Sequence, residues 1–488
     1  MIEKILSIKR YNKFDDLKKG STDWDFVFKK TNVIYAPNGS GKTSISLMLK
    51  SLCDNSSIEA KKSFGSEESS EIRLLGDDKK KFIYRKGKWN RNHKKVEIFN
   101  SFYLEDNVYT ISIEDRISEL NIFEMSMPDQ ARQFRKELNE LTRLLSVART
   151  RAKNRKLKLK SEKKDINKDS VMTRLQAERD ELAKKLEQKK AERTRFLSES
   201  IDLYISNINR YLSSFSNDLK IIDHKIVFPT NSNSIRLIYG IKINNHEIHF
   251  TERESATGHS LKYYLSEGDK NALALSFFLA KMDIVPNPEE YIVVVDDPFT
   301  SFDTHRKQTT ITQLVRVANK VGQLFILTHD LHFANDFCNA LYSDIPLKLQ
   351  ITRQGSSYII QNYDFKNALL TGLARDIKTL NDYLLKGDDM SLRDVVRCIR
   401  PCIEGVFRLK YFSLVKEGDW LGDFIKMIRD AEEESPLYRL KMYVPQIEEL
   451  NDYSKIYHHS NPNYMDVMLD PMELSIQVRN TINLLYVL

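Results

Sequence analysis

The stretch Ala36-Pro37-Asn38-Gly39-Ser40-Gly41-Lys42-Thr43 constrains this chain more than any other feature. It follows the apolar run Asn32–Tyr35, a strand in outline, and precedes Ser44–Leu49, which can begin a helix. Small residues between a strand and a helix let successive backbone N–H groups wrap an anion where the helix dipole favours negative charge. Lys42 is placed to meet the terminal phosphates of a nucleoside triphosphate, and the Thr43 hydroxyl to meet magnesium. Asn38, Gly39, Ser40, Gly41 and Ser44 complete the cradle, while Ala36 stands where glycine is usual. A loop of this kind commits the chain to an α/β fold in which strand, loop and helix are consecutive.

Three further motifs carry chemistry that such a loop needs. Ile292-Val293-Val294-Val295-Asp296-Asp297-Pro298 is an apolar strand that delivers a carboxylate to its C-terminal end, where open α/β sheets bind ligands. Asp296 is placed to hold magnesium, and Asp297 to act as the general base that orients an attacking water. Aspartate at the second position is one methylene shorter than the glutamate common there. Leu265-Ser266-Glu267-Gly268-Asp269-Lys270 offers a serine hydroxyl and a glycine amide at a helix N-terminus, a second γ-phosphate contact. Ser301-Phe302-Asp303 follows Asp297, and His329 follows the strand Leu324–Thr328 within Leu327-Thr328-His329-Asp330.

The chain has 488 residues, 41% hydrophobic and 30% charged, with a formal charge of +8. That length supports two or three domains. No apolar run approaches the ~20 residues of a spanning helix. The N-terminal MIEKILSIKRYNKF lacks the apolar core of a signal peptide and reads as a strand, so a cytoplasmic protein is expected. Cys53, Cys338, Cys398 and Cys402 are too scattered for a disulfide framework. A zinc site drawn from Cys398, Cys402, His458 and His459 fits no common ligand spacing, and small buried thiols are the preferred reading.

Residues 1–127 read as the first lobe of an α/β head. Met1–Ile8 and Asp25–Tyr35 are strand-like, Glu71–Leu75 and Lys81–Arg85 flank a Gly76-Asp77-Asp78 turn, and Val96–Phe99 is a short apolar strand. From Pro128 the texture changes. Phe134, Leu138, Leu141, Leu145 and Ala148 follow the 4-3-4 spacing of a coiled-coil seam. Lys153–Lys168 is nearly all polar and basic. A second helix begins after a cap at Asp169 or Ser170 and carries Val171, Leu175, Leu182, Leu186 and Phe196. The two make an antiparallel hairpin over 128–215, with arms that project ~45–60 Å at 1.5 Å per residue. The seam thins toward the tip, which predicts fraying there. A solvated insert with no binding role is the plain alternative. Residues 216–365 return to strands, with hairpins around Asn244-Asn245 and Gly355-Ser356-Ser357 and buried strands at Tyr291–Val295 and Leu324–Thr328. Residues 366–488 are helical in pattern.

The four motifs, in this order over roughly 1–75 and 215–345, resemble the ABC-type ATPases of the SMC-like kind. That resemblance implies an ABC-type P-loop head split by an antiparallel coiled-coil hairpin, with ATP and Mg2+ as ligands. It also implies a homodimer in which Ser266 and Gly268 of one copy meet the nucleotide of the other. Asp303 then corresponds to the D-loop and His329 to the switch histidine. No clear Gln-loop is present, and Asn100 after Val96-Glu97-Ile98-Phe99 is the best stand-in. No base-reading residue is evident, so GTP remains an alternative.

Within that group, Tyr35-Ala36-Pro37-Asn38-Gly39 and Asp296-Asp297-Pro298 resemble the compact ATPases of bacterial antiphage defence: the PrrC and RloC anticodon nucleases, PtuA of Septu and AriA of PARIS. The zinc-hook CxxC of RloC is missing. Arg400 and Glu404 lie four apart on a predicted helix, with His458 and His459 further on, similar to the Arg-x3-Glu and histidine triad of PrrC. The resemblance implies Glu404 and His459 as base and acid of a metal-independent RNase, and Arg400 as its phosphate partner, on a tRNA substrate. The spacing to histidine is longer than in PrrC. An ordinary helix ion pair explains Arg400 and Glu404 equally well. Two outputs stay open: a C-terminal RNase of the chain's own, or an ATPase sensor and scaffold that binds a separate nuclease effector. A DNA-repair ATPase of the SMC or RecF type is a third reading.

Overall fold

The computed structural model describes residues 1–488 except 19, 21, 101–102, 104–127, 164, 166–168, 217, 228–235, 245, 249–264, 299–303, 343, 356, 388–389 and 458–467. The chain forms two compact units, Met1–Asp364 and Phe365–Leu488.

Among the described residues the first unit holds three sheets. Strand β1 (Ile2–Tyr11) buries Ile2, Ile5, Ile8 and Tyr11, a spacing of three rather than the two of a regular strand, and its register shifts between Ile2 and Lys4 and between Ile5 and Ser7. It pairs antiparallel with β2 (Phe14–Lys18) and β4 (Glu71–Gly76) in a five-stranded sheet, continued by β5 (Lys81–Arg85) and β6 (Lys88–Trp89). The six-stranded sheet runs β14-β13-β3-β12-β11-β7. Strands β3 (Thr31–Tyr35), β7 (Val96–Phe99), β11 (Ile292–Asp296), β12 (Gln323–Thr328) and β13 (Leu347–Gln354) are parallel, with β14 (Ser357–Asn362) antiparallel at one edge. β11 and β12 are buried throughout, as their unbroken apolar runs require. Helix α1 (Lys42–Asp54) contributes Ile45, Met48, Leu49 and Leu52 to one core shared with residues of both sheets. A small third sheet joins β8 (Leu219–Val227), β9 (Arg236–Ile243) and β10 (His246–Ile248).

Asp25–Tyr35 is a strand only from Thr31. Phe26 has φ 66°, the Asp25 carboxylate accepts a hydrogen bond from Val27 N, and Trp24 stacks on Phe26 with ring centroids 4.9 Å apart. Local side-chain bonding and aromatic packing therefore turn the chain where its apolar content suggested extension.

Helices α2 (Pro128–Ser161) and α3 (Ser170–Phe215) form the hairpin. Leu138, Leu145 and Leu186 make one cluster of the seam. The seam does not end there: Ala152, Leu159, Met172 and Leu175 close it near the tip, and the Asp169 side chain caps α3 by accepting from Met172 N. Thinning apolar content is thus offset by one well-packed layer, and Met172 fills the place expected of the neighbouring Val171, which is exposed. The root of α3 is buried through Ile201, Tyr204, Ile208, Leu212 and Phe215. Tyr204 donates to the Phe277 carbonyl of α4 (Glu267–Ile284) at 3.1 Å. Two further helices, α5 (Thr304–Lys320) and α6 (Leu331–Ala340), complete this unit.

The second unit is helical: α7 (Phe365–Leu369), α8 (Gly372–Lys386), α9 (Leu392–Lys410), α10 (Leu421–Arg429), α11 (Val444–Lys455) and α12 (Pro471–Val487). Its core includes Val395, Ile399, Ile403, Phe407, Phe424, Leu450 and Val478. Cys402 lies within that core, and burial raises its thiol far above the ordinary range; Cys398 is pushed up to about 12 by the same cause. Among the described residues no helix is long and apolar enough to cross a membrane. The α/β class with an inserted helical hairpin and a helical C-terminal region is as the sequence predicts.

Candidate nucleotide site

Parallel register brings the sequence-distant motifs to one edge. Thr328 pairs with Tyr35, Leu327 with Asp296, and Val295 with Phe99. The next residues along β3, β12, β11 and β7 are Ala36, His329, Asp297 and Asn100, so all four leave the sheet from neighbouring C-terminal ends.

The loop from Ala36 to Gly41 needs glycine. Gly39 has φ 76° and Gly41, the cap of α1, has φ 104°, a region that side chains with a Cβ rarely enter. Ala36 N donates to the Thr328 carbonyl at 2.9 Å, which holds the loop's start to the sheet. The Lys42 side chain is buried, and its Nζ donates to the Ala36 carbonyl at 2.8 Å and lies 3.5 Å from Asp297 Oδ2. Asn38 Oδ1 is 3.4 Å from the same nitrogen, and Ser40 Oγ donates to the Pro37 carbonyl at 2.5 Å. The Ser44 carbonyl accepts from Tyr11 Oη at 2.8 Å, and its Oγ accepts from Asn12 Nδ2 at 2.5 Å, so the end of β1 and the turn after it brace the first turn of α1.

Asp296 is buried at the end of β11, and Ser46 Oγ donates to its Oδ2 at 2.9 Å. Burial lifts the Asp296 carboxyl from 3.8 to about 6; the bond from Ser46 opposes that rise, and the charge of Asp297 adds to it. The nearby Thr43 hydroxyl opposes the rise as well. Motif reasoning misses Ser46. Its signal is periodicity: a residue three beyond Thr43 lies on the same helix face, over the same carboxylate.

Asp297 has φ 45°, an uncommon conformation for a residue other than glycine. Its N donates to the Leu327 carbonyl at 2.8 Å. Its Oδ1 accepts from His329 N at 2.9 Å and lies 2.8 Å from His329 Nδ1. One carboxylate therefore stands between the lysine of the loop and the histidine of the next strand.

Ser266 caps α4: its Oγ accepts from Asp269 N and donates to Asp269 Oδ2 at 2.6 Å. Ser266 is exposed and Gly268 is buried. Asp269 also pairs with Arg306 of α5 at 3.0 Å, and Arg306 Nε donates to the Phe215 carbonyl at 3.1 Å. Arg306 thus joins the first turn of the serine-capped helix to the root of the hairpin, a role with no local sequence signal. Lys281 of α4 forms a buried ion pair with Glu97 of β7 at 2.7 Å. Asn100 lies at the sheet edge, half-buried, and its carbonyl accepts from Tyr103 N. Ser301-Phe302-Asp303 and His458–His459 fall outside the described residues.

In the helical unit Glu404 is 8% exposed. Its Oε1 accepts from Arg400 Nε at 2.7 Å and from Leu421 N, the first residue of α10, at 3.0 Å. The carboxylate therefore caps the helix dipole of α10 and pairs with Arg400 at once.

The AAA_13 family, described as an AAA domain, matches residues 255–384. An uncharacterized chromosomal cassette SCCmec type IVc protein, CR006, of Staphylococcus aureus (strain MRSA252) is 26% identical over 317 residues, 57% of this chain. The matching stretch spans 42% of that relative's length, less than half of it. Among solved structures, the Smc head domain of Pyrococcus furiosus, with an extended coiled coil and bound to the C-terminal domain of ScpA, is 14% identical with a TM-score of 0.45; the match covers 75% of this chain and 97% of that one. The recombination mediator RecF with ATP is 14% identical with a TM-score of 0.36, covering 74% and 98%.

The raised carboxyl of Asp296 makes a stability prediction. A folded-state pKa above the ordinary value means that the folded protein binds this proton more tightly than the unfolded chain does. The stability it contributes is present below about pH 4 and is lost as pH rises through about 6. Asp296→Asn, which cannot ionise, should therefore melt higher than the parent protein at pH 7.5 without nucleotide, by ~3 °C for ~2 kcal/mol or less. The gap should narrow as pH falls through about 6 and close below about pH 4. A lower melting temperature for the variant at pH 7.5 means that Ser46, Thr43 and Lys42 outweigh the cost of burial.

Proposed function

We propose that this chain is an ATP-hydrolysing ATPase of the ABC type, with a nucleotide site completed by a second copy. The carrying observation is that Lys42 and His329 both reach Asp297, next to an Asp296 held by Ser46, at the C-terminal ends of neighbouring parallel strands. The donor set suits a magnesium triphosphate: backbone N–H groups and an ammonium for phosphate oxygens, Thr43 and Asp296 for the metal. Bound there, magnesium would offset charge on the phosphate oxygens. Asp297 would take the proton of the attacking water, and His329, held by Asp297, would contact the γ-phosphate. In this proposal Asn100 would reach the same water, and Asp303 would serve as the D-loop residue. Ser266 and Gly268 cap α4 as an anion site, so in this proposal they serve the nucleotide of the partner copy. Only a ligand with differential contacts can shift a two-state equilibrium, and the γ-phosphate is that ligand here.

Complementation tests the composite site directly. Lys42→Ala and Ser266→Arg should each lack ATPase activity alone. Mixed in equal amounts, they should recover about a quarter of the parent rate, because about half the dimers are mixed and each then holds one intact site. A mixture as inactive as its parts sinks the shared-site proposal.

For the output, we propose that the ATPase controls a nuclease in antiphage defence. Glu404 favours the scaffold form of this reading, in which the helical unit docks a separate effector. A buried carboxylate that already caps α10 and pairs with Arg400 is committed to structure. A C-terminal RNase using Arg400, Glu404 and His459 on tRNA is the second form, and growth arrest on expression of this chain alone, relieved by His459→Ala, would favour it.

A further inference from the structure

We propose that the distal part of helix α2 is a binding surface for the phosphodiester backbone of double-helical nucleic acid. Residues 149–163 hold eight Lys and Arg residues and one Glu, a formal +7 against +8 for the whole chain. The rest of the protein is close to neutral, so nearly all its net charge sits on one short rod.

The placement of those charges is ordered. Ala148, Ala152 and Leu159 face the seam of the hairpin and are buried. Arg149, Lys153, Lys156 and Lys160 follow at spacings of 4, 3 and 4, which puts them on one face of α2 beside that seam. Arg151 and Lys158 lie two turns apart on an adjoining face. All six are exposed, and none has a salt-bridge partner among the described residues. Arg155 differs: it pairs with Asp169 at the start of α3 and helps to close the tip. The face spans ~17 Å at 1.5 Å per residue, with neighbouring side chains ~5–6 Å apart.

Unpaired like charges held this close repel one another, a cost that mobile counterions screen in part and that an anionic partner with a comparably dense charge array relieves further. Duplex nucleic acid carries one charge per ~1.7 Å of its axis. The run has no Phe, Tyr, Trp or His on which to stack unpaired bases, which disfavours a single strand. It is also a poor membrane helix. Ala152 and Leu159 are spent against Met172 and Leu175 of the other arm, which leaves Leu157 as its one exposed apolar side chain. A lysine-rich face of exposed charges predicts binding through phosphate contacts, which carry no sequence preference.

The test uses the full chain and fluorescently labelled duplexes of about 30 base pairs, DNA and RNA of one sequence, titrated at several salt concentrations. The variant combines Arg149→Gln, Lys153→Gln, Lys156→Gln and Lys160→Gln, which keeps good helix formers at exposed sites. The parent protein should bind with a steep salt dependence. The variant should lose at least ~30-fold in affinity at 100 mM salt, and its log–log salt slope should fall by ~3–4, at ~0.9 per phosphate no longer neutralised. A charge-keeping variant, Lys153→Arg with Lys156→Arg and Lys160→Arg, should bind as the parent does. Unchanged circular dichroism and nucleotide binding in the Gln variant separate loss of the surface from loss of fold. A preference between the two duplexes assigns the natural source. No duplex binding by the parent protein, an unaltered slope in the variant, preference for a single strand, or equal binding to polyglutamate or anionic vesicles each overturns the proposal. Because these residues lie apart from Lys42 and Asp297, failure here leaves the ATPase proposal intact.

Discussion

Lys42→Ala is expected to abolish measurable ATP binding, a loss of at least ~100-fold, while leaving the protein folded. The magnitude follows from what the ammonium does. Charge-assisted hydrogen bonds contribute ~1.5–3 kcal/mol each, and Lys42 is placed to make two to a triphosphate. Its removal also changes the sign of the site. Asp296 and Asp297 would then face the incoming phosphates without the ammonium that now lies 3.5 Å from Asp297 Oδ2. Lys42→Met keeps most of the volume and should lose affinity to the same extent, which separates charge from packing. Equilibrium titration with a fluorescent ATP analogue measures both, with thermal melting as the folding control. Parent-like affinity in either variant removes the phosphate-loop assignment and the proposed ATPase with it.

The features legible in the sequence share a physical property: they are local. The β3–loop–α1 unit announces itself through small residues between an apolar strand and a helix start. β11 is equally plain, because a strand buried on both faces must be apolar almost throughout, and Ile292–Asp296 is apolar up to its last residue. Non-local pairing leaves no such trace. β7 lies beside β11 although nearly 200 residues separate them, and only that pairing puts Asn100 at the site's edge. Arg306 reads as an ordinary first-turn arginine until the Phe215 carbonyl and Asp269 are brought to it. Arg400 and Glu404 show the opposite difficulty. Their spacing fits a helix ion pair and a catalytic pair alike, and burial with a second donor at Leu421 N is what distinguishes them.

Asp297→Asn should bind ATP normally, hydrolyse it ~100- to 10,000-fold more slowly, and accumulate as an ATP-bound dimer. Asparagine is the informative substitution because it changes charge and little else. At φ 45° the backbone at this position favours glycine, and Asn and Asp tolerate that region better than other side chains. An Asn carbonyl can still accept from His329 N, now 2.9 Å from Asp297 Oδ1, so the histidine keeps one anchor. It cannot take a proton from water, and it loses the ion pair to Lys42. Asp297→Ala removes the base and the His329 anchor together and also strains the turn, so a defect there has several causes. Single-turnover hydrolysis gives the chemical step, and gel filtration in ATP and magnesium follows the dimer. Slow chemistry with a persistent dimer places the base at Asp297 and ties dimer release to hydrolysis. Slow chemistry without a dimer keeps the base but breaks that tie. Normal single-turnover rates move the base elsewhere, and the bond from Asp297 to His329 would then hold the histidine in position without taking part in proton transfer.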